Sequence, residues 1–339
     1  MDRVAVVILN WNGRDMLKQF IPRVLDCSVT EGIAVYVVDN GSTDDSVDIL
    51  RSFFPGVRLI VFDENLGFAG GYDRALRQIE ATYVVLLNSD VEVTPDWLSP
   101  LVTYMETHPE VAACQPKIRS WKEKERFEYA GAAGGFIDRY GYPFCRGRIL
   151  NTVETDRGQY DTVVPVCWAT GAALFIRRAD YLAAGGLDER FFAHMEEIDL
   201  CWRLWTAGKE IVCIPRSVVY HVGGGTLQAD SPHKTFLNFR NNLLMIYKNL
   251  SPRESRNVLR VRFFLDHLAA LSFVFRGKWS QARAVYKARR SFKQLKPLYK
   301  ERTDLPCEVS ALPSSVKYRG SILWSYYIQR IKRFSELQF

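Results

Sequence analysis

Apolar residues in this chain fall first into short continuous runs and later into helical stripes. Val4–Leu9 is six residues without a polar interruption, closed by Asn10-Trp11-Asn12-Gly13, which predicts a strand and a turn. Met16, Leu17, Phe20, Ile21, Val24 and Leu25 then recur at helical spacing within Arg14–Asp26. Ile33–Val38 reads as a second strand with a crossover helix over Ser46–Phe54, and Val57–Phe62 as a third. Gly70–Glu80 reads as a helix and Tyr83–Leu87 as a fourth strand. Strands alternating with helices over short connections predict an α/β fold with a Rossmann-like, mostly parallel sheet covered by helices on both faces.

The pattern loosens after residue 120. Gly131-Ala132-Ala133-Gly134-Gly135 suits neither a helix nor a strand interior, so 120–163 is expected to be a loop-rich excursion beside the site. Order returns at Val164–Arg177 with a strand-like Gly171–Ile176, a helix over Asp199–Ala207, short strands at Ile211–Ile214 and Val218–His221, and a flexible Gly223-Gly224-Gly225. From about 234 the spacing is helical: Val258, Val261, Leu265, Leu268, Leu271 and Phe275 recur at three or four residues, as do Trp279, Ala282, Val285 and Tyr286. Arg260, Arg262, Asp266 and His267 interrupt any uncharged run of about 18 residues, so these helices are expected to lie on a bilayer rather than cross it. Two parts follow: an α/β domain over 1–230, and a basic amphipathic helical extension over 231–339.

Charge supports that division. Residues 1–225 hold 23 Lys/Arg against 31 Asp/Glu, whereas 226–339 hold 22 against 7, so the overall +7 belongs to the tail. Such asymmetry points to an anionic partner, a membrane surface or a nucleic acid; the core carries no nucleic-acid reading module, which favours the membrane. The seven cysteines are scattered and never spaced C-x-x-C, arguing against a disulfide frame or a zinc site. The chain enters a strand at once, with no basic leader or cleavage site, and reads as cytoplasmic.

Candidate chemistry sits where apolar runs end. Val35–Val38 closes on Asp39, whose carboxylate can accept a pyrimidine N–H, and Tyr83–Leu87 closes on Asn88-Ser89-Asp90, placing an oxygen ligand for Mg²⁺ or Mn²⁺ at the rim of the sheet. Glu64–Asp73 offers small residues for close approach to a sugar or phosphate. Glu196-Glu197-Ile198-Asp199 opens a helix, and His221 follows a strand, able to give a neutral nitrogen to the same metal as Asp90. Each has an ordinary structural reading as a cap, an Asx turn or a packed histidine.

Taken in order, Asn10-Trp11-Asn12, Val38–Asp44, Glu64–Gly71, Leu87–Asp90, Gly185–Glu189, Glu196–Leu200 and Tyr220-His221 closely resemble family 2 glycosyltransferases, particularly rhamnosyltransferase-like members, over roughly 1–250. The resemblance implies a GT-A fold and an inverting transfer of a sugar, rhamnose or a related hexose, from a nucleotide diphosphate donor. It places Asn10 and Asp39 at the donor base and ribose, Asn65 and Asp73 on the donor-side loop, and Asn88 and Asp90 at the family's D-x-D position. Asn88 replaces the first acid, leaving Asp90 and His221 to hold Mg²⁺ or Mn²⁺. Glu196 and Glu197 match the acidic pair, with Glu197 the base where many relatives have Asp. Gly171, Trp168 and Asp199 are implied on the acceptor side, and Lys234 and Arg240-Asn241 beside the diphosphate.

The expected acceptor is a hydroxyl of a glycan or polyprenyl-diphosphate-linked glycan in cell-surface polysaccharide synthesis. The expected location is the inner face of the cell membrane, with an anionic membrane surface as partner and no nucleic acid. Two alternatives remain. One is a non-catalytic nucleotide-sugar-binding protein, suggested by Asn88. The other is a nucleotidyltransferase, disfavoured because Asn10-Trp11-Asn12-Gly13 lacks the glycine-rich basic loop that such an enzyme needs after its first strand.

Overall fold

The computed structural model describes residues 1–223, 231–302 and 312–339; Gly224, Gly225 and Cys307 lie outside them. The N-terminal half runs β1 (Asp2–Asn10), α1 (Arg14–Ser28), β2 (Ile33–Asn40), α2 (Ser46–Phe53), β3 (Arg58–Phe62), α3 (Gly67–Gln78), β4 (Ala81–Asn88), β5 (Val91–Val93), α4 (Ser99–Thr107) and β6 (Val111–Ser120). Alternate residues of β1 serve opposite cores. Ala5 and Val7 pack with Tyr72 and Leu76 of α3, while Val4, Val6 and Ile8 pack with Leu17 and Ile21 of α1 and Leu101 of α4. A strand buried on both faces needs the continuous apolar run that the sequence shows.

The chain then forms β7 (Gly135–Asp138), β8 (Pro143–Cys145), β9 (Arg148–Ile149), β10 (Thr152–Val153), β11 (Val164–Pro165), β12 (Ala173–Arg177), α5 (Arg178–Ala183), α6 (Glu196–Thr206) and β13 (Glu210–His221). A nine-stranded sheet has the order β11-β13-β6-β12-β4-β1-β2-β3, with β5 pairing β13. Its β3-β2-β1-β4 portion is parallel, as is β6 with β13, and β12 enters antiparallel between β4 and β6.

The excursion expected to be loop-rich instead builds much of a second sheet, order β10-β9-β8-β7, joined at its edge by β14 (Lys317–Tyr318) from near the C-terminus. Its strands are two to four residues long, too short to show a period. The glycines there serve packing: a Cβ on Gly135 would stand 2.1 Å from the Trp168 ring, and one on Gly134 would stand 2.3 Å from Val166.

Helices α7 (Pro232–Asn249), α8 (Pro252–Phe275), α9 (Trp279–Leu295) and α10 (Ile322–Tyr327) make up most of the C-terminal region. It is tied to the sheet by buried charge. Lys248 of α7 reaches Asp199 Oδ2 at 2.8 Å and Asp188 Oδ2 at 2.7 Å, while Asn249 donates to Asp199 Oδ1 and Arg203 to Asp199 Oδ2. Burial opposes ionisation of Asp199, but Lys248 and Arg203 outweigh it and hold the carboxyl down at about 2.

Removing one member of such a cluster strands the others in a dry site, so Asp199→Ala is expected to cost about 3–5 kcal/mol in a urea melt. Because this carboxyl titrates lower in the folded chain than in the unfolded one, its contribution is present above pH about 4 and lost as pH falls toward 2. A variant as stable as the parent at neutral pH would contradict this.

Candidate active site

Register lines up the polar strand ends. Asn10 of β1 lies opposite Asp39 of β2, and Leu9 lies opposite Asn88 of β4, so three polar side chains close adjacent parallel strands at one height. That carboxyl edge is where open α/β sheets hold ligands. Tyr72 of α3 fixes the floor: its hydroxyl donates to Leu87 O and accepts from Leu9 N–H, bridging β4 and β1 one step behind the rim. Gly71 permits this approach, since a Cβ there would stand 2.8 Å from a Leu9 methyl.

Asn10 Nδ2 donates to Asp39 Oδ1 at 2.9 Å, and Asp39 Oδ2 accepts the Ser42 N–H at 3.0 Å. Both side chains are buried, and Asn10 Oδ1 has no hydrogen-bond partner among the described residues. Asn65 is used differently: its Oδ1 accepts from Gly67 N–H and from Asn40 Nδ2, shaping the turn into α3.

Asp90 and His221 come together because β5 pairs antiparallel with the end of β13, setting Val91 opposite His221. Nε2 of His221 lies 3.0 Å from Asp90 Oδ1 and 3.4 Å from Asn88 Nδ2, and Nδ1 lies 3.4 Å from Glu128 Oε1. Burial pulls the imidazole down in pKa, but the carboxylates of Asp90 and Glu128 overcome it and raise it to about 10. Asp90 settles below its ordinary value, as His221 outweighs the cost of burial. Among the described residues no group of three or more His, Cys, Asp or Glu forms a closed metal cage. A divalent ion here would have to displace the imidazolium proton; the Asp90 carboxylate and the freed imidazole nitrogen would then leave its other positions to phosphate and water.

The acidic pair opens α6 after an unusual turn. Phe192, His194 and Met195 have φ of 64°, 71° and 74°, left-handed values that cost non-glycine residues on the order of 1–3 kcal/mol each. The turn is strapped from α7. Asn241 Nδ2 donates to the carbonyls of Phe191, Ala193 and His194 at 2.7–2.8 Å, and Arg240 donates to those of Arg190 and Phe191. Glu196 is buried and Glu197 half-buried, each with an unpartnered Oε2. Burial pushes Glu197 up to about 7, and burial with the adjacent Glu197 drives Glu196 well above the carboxylate range.

The two halves meet through β12. Asn88 N–H donates to Ala172 O at 3.0 Å, and a Cβ on neighbouring Gly171 would stand 3.0 Å from the Phe68 ring and 3.9 Å from Glu197 Cβ. Among the described residues, Asn10 Oδ1, His194 Nε2, Glu196 Oε2 and Glu197 Oε2 are buried without a hydrogen-bond partner. Unsatisfied groups are scarce in folded proteins, so each of these calls for a polar partner from outside the fold.

Four residues named from the sequence have partners within the fold. Asp73 pairs with Arg77, accepts from Tyr181 Oη and backs against Gly186, bracing the 185–187 turn. Arg240 spends its guanidinium on loop carbonyls, and Asp199 has both oxygens filled by Lys248, Arg203 and Asn249. Trp168 is buried and donates to Phe136 O, supporting the second sheet. Lys234 remains available: Glu128 favours its charge, that charge disfavours protonation of His194, and it has no ion pair among the described residues. Sequence reasoning missed Glu128, which lies in no motif, and gave no role to Asn40 and Tyr72 within the motifs that hold them. Asn241, expected with Arg240 beside the diphosphate, carries the amide that straps the turn before α6.

The family model for glycosyl transferase family 2 matches residues 5–177, and the chain belongs to that family. Its sheet is that of GT-A glycosyltransferases. It is 28% identical over 238 residues to N-acetylglucosaminyl-diphospho-decaprenol L-rhamnosyltransferase of Mycobacterium tuberculosis, covering 65% of this chain and 76% of that protein. Two solved structures share the fold. The mannosyltransferase PcManGT of Pyrobaculum calidifontis with GDP-Man and Mn²⁺ has a TM-score of 0.53 and 15% identity, covering 88% of this chain and 81% of that one. GalNAc-T7 with UDP, GalNAc and Mn²⁺ has a TM-score of 0.57 and 15% identity, covering 75% and 49%.

If the strap positions the acidic pair, Asn241→Ala is expected to lower kcat for sugar transfer by about tenfold to 10²-fold, with nucleotide affinity held within about threefold. An unchanged kcat in a variant that melts like the parent would contradict this.

Proposed function

We propose that the protein is an inverting, metal-assisted glycosyltransferase. It moves rhamnose or a related hexose from a nucleotide diphosphate to a hydroxyl of a lipid-diphosphate-linked glycan in cell-surface polysaccharide synthesis, while peripherally bound at a membrane. The observation that supports this reading is the row of polar side chains Asn10, Asp39 and Asn88 closing β1, β2 and β4, with Asp90 and His221 beside it and the raised Glu197 carboxyl opening α6. The M. tuberculosis relative, by its name a rhamnosyltransferase acting on a diphospho-decaprenol sugar, supports the donor and acceptor classes.

In this reading Asn10 and Asp39 receive the base and ribose, with the free Asn10 Oδ1 as an acceptor for a base N–H. Asp90 and His221 would hold Mg²⁺ or Mn²⁺, which when bound neutralises the diphosphate and its developing charge. Lys234 adds a second positive charge on the α7 side. Glu197 takes the proton of the acceptor hydroxyl. The freed oxygen attacks the anomeric carbon opposite the diphosphate, the carbon–oxygen bond to phosphate breaks, and the nucleoside diphosphate leaves with that electron pair. A carboxyl with a pKa near neutrality suits this role, because it is ionised at working pH yet still basic enough to accept a proton. A neutral Glu196 beside it limits like-charge repulsion.

Glu197→Gln is expected to lower kcat by about 10²–10⁴-fold with donor affinity nearly unchanged. In the parent, kcat/KM should rise with pH through about 7 and then level, since only the ionised carboxylate can act. Near-normal transfer by the Gln variant would exclude Glu197 as base. Lys234→Ala is expected to raise donor KM by roughly tenfold with a smaller change in kcat, consistent with loss of one charge-assisted contact. Full activity in excess chelator would refute metal assistance. Binding of a sugar nucleotide without any turnover, even hydrolysis, would favour the non-catalytic alternative.

A further inference from the structure

The α8–α9 hairpin turns an apolar stripe outward. Phe264, Leu268, Leu271 and Phe275 follow i, i+4, i+7, i+11 spacing on one face of α8, and all are exposed, Phe264 at 71% and Phe275 at 81%. Trp279 extends the stripe around the hairpin tip. The opposite faces are the ones that pack: Arg262, Asp266 and Ala270 of α8, and Ala282, Val285 and Ala288 of α9, are buried. His267 meets the Phe263 ring at a tilt and the Tyr286 ring edge-on, joining the two helices. Single exposed apolar residues are ordinary, but a continuous stripe rimmed by polar groups marks a contact surface.

Charge says what covers it. Between 252 and 295 the only acids are Glu254 and Asp266, and Asp266 is buried against Arg262 and Arg289. Arg260, Arg276, Arg283, Lys287 and Arg290 border the stripe, and among the described residues none is in an ion pair. A second copy would bring like charges together, and no helix among the described residues is long and apolar enough to cross a membrane. An anionic bilayer answers both features, accepting Phe and Trp at its interface while its headgroups meet the flanking cations.

We propose that the α8–α9 hairpin docks on an anionic membrane surface, with Phe275 and Trp279 at its tip entering the headgroup layer. This deepens the peripheral placement proposed above and rests on it.

The test is flotation of the full chain with vesicles of equal parts phosphatidylglycerol and phosphatidylcholine, against phosphatidylcholine alone. The parent is expected to float with the anionic vesicles and to be released by salt. Phe275→Asp with Trp279→Asp should lower the bound fraction by at least about tenfold, and Arg276→Glu with Arg283→Glu should do the same on anionic vesicles, both with unchanged circular dichroism and nucleotide binding. A parent that ignores anionic vesicles overturns the membrane placement itself. A parent that floats while both double variants float equally well overturns only the hairpin surface. A dimer dissociated by the Asp substitutions, with no flotation, would assign the stripe to a second copy.

Discussion

The site depends above all on the antiparallel contact between β5 and the end of β13. Three residues of β5 turn back from the β4 rim and meet the last three of β13, so that His221 arrives beside Asp90 and Asn88. Parallel pairing elsewhere had already brought Asn10, Asp39 and Asn88 to one height. Without the β5 return, the histidine would have no reason to face that edge. Glu128, buried behind the imidazole, completes a line of alternating charge across the mouth of the sheet.

A second constraint reaches the acidic pair from the opposite side. The left-handed turn before α6 is expensive, and a strained backbone persists only where its surroundings over-determine it. Asn241 and Arg240 do this through five hydrogen bonds to carbonyls, and the Lys248–Asp199–Arg203 cluster locks α7 onto α6 one turn further along. The C-terminal helices are thereby part of the machinery that orients Glu197. The same region turns basic and apolar side chains outward on α8 and α9.

Much of this was legible from the chain. The continuous runs Val4–Leu9 and Tyr83–Leu87 mark strands buried on both faces, and their polar stops identify the ligand edge, because carboxylates and amides directly after such runs have nowhere else to lie. Helix starts were less legible: α3 begins at Gly67, inside the loop glycines, and α6 at Glu196, because their first turns are fixed by Asn65 and by the strapped 192–195 turn. The second sheet was hidden by the brevity of its strands. For Asp199, Asp73 and Arg240 the sequence shows a charge but not the distant lysine, tyrosine or carbonyl that it meets in the fold.

Whether the β1, β2 and β4 ends, closed by His221, form a nucleotide diphosphate site is tested most directly by calorimetric titration. UDP, dTDP and GDP would be titrated in Mn²⁺ into the parent, Asp39→Ala and His221→Ala. At least one nucleotide is expected to bind the parent, with affinity reduced by at least about tenfold in each variant, Asp39→Ala losing base contact and His221→Ala losing metal dependence. Binding that both folded variants preserve in full, or its absence for all three nucleotides in the parent, would contradict such a site.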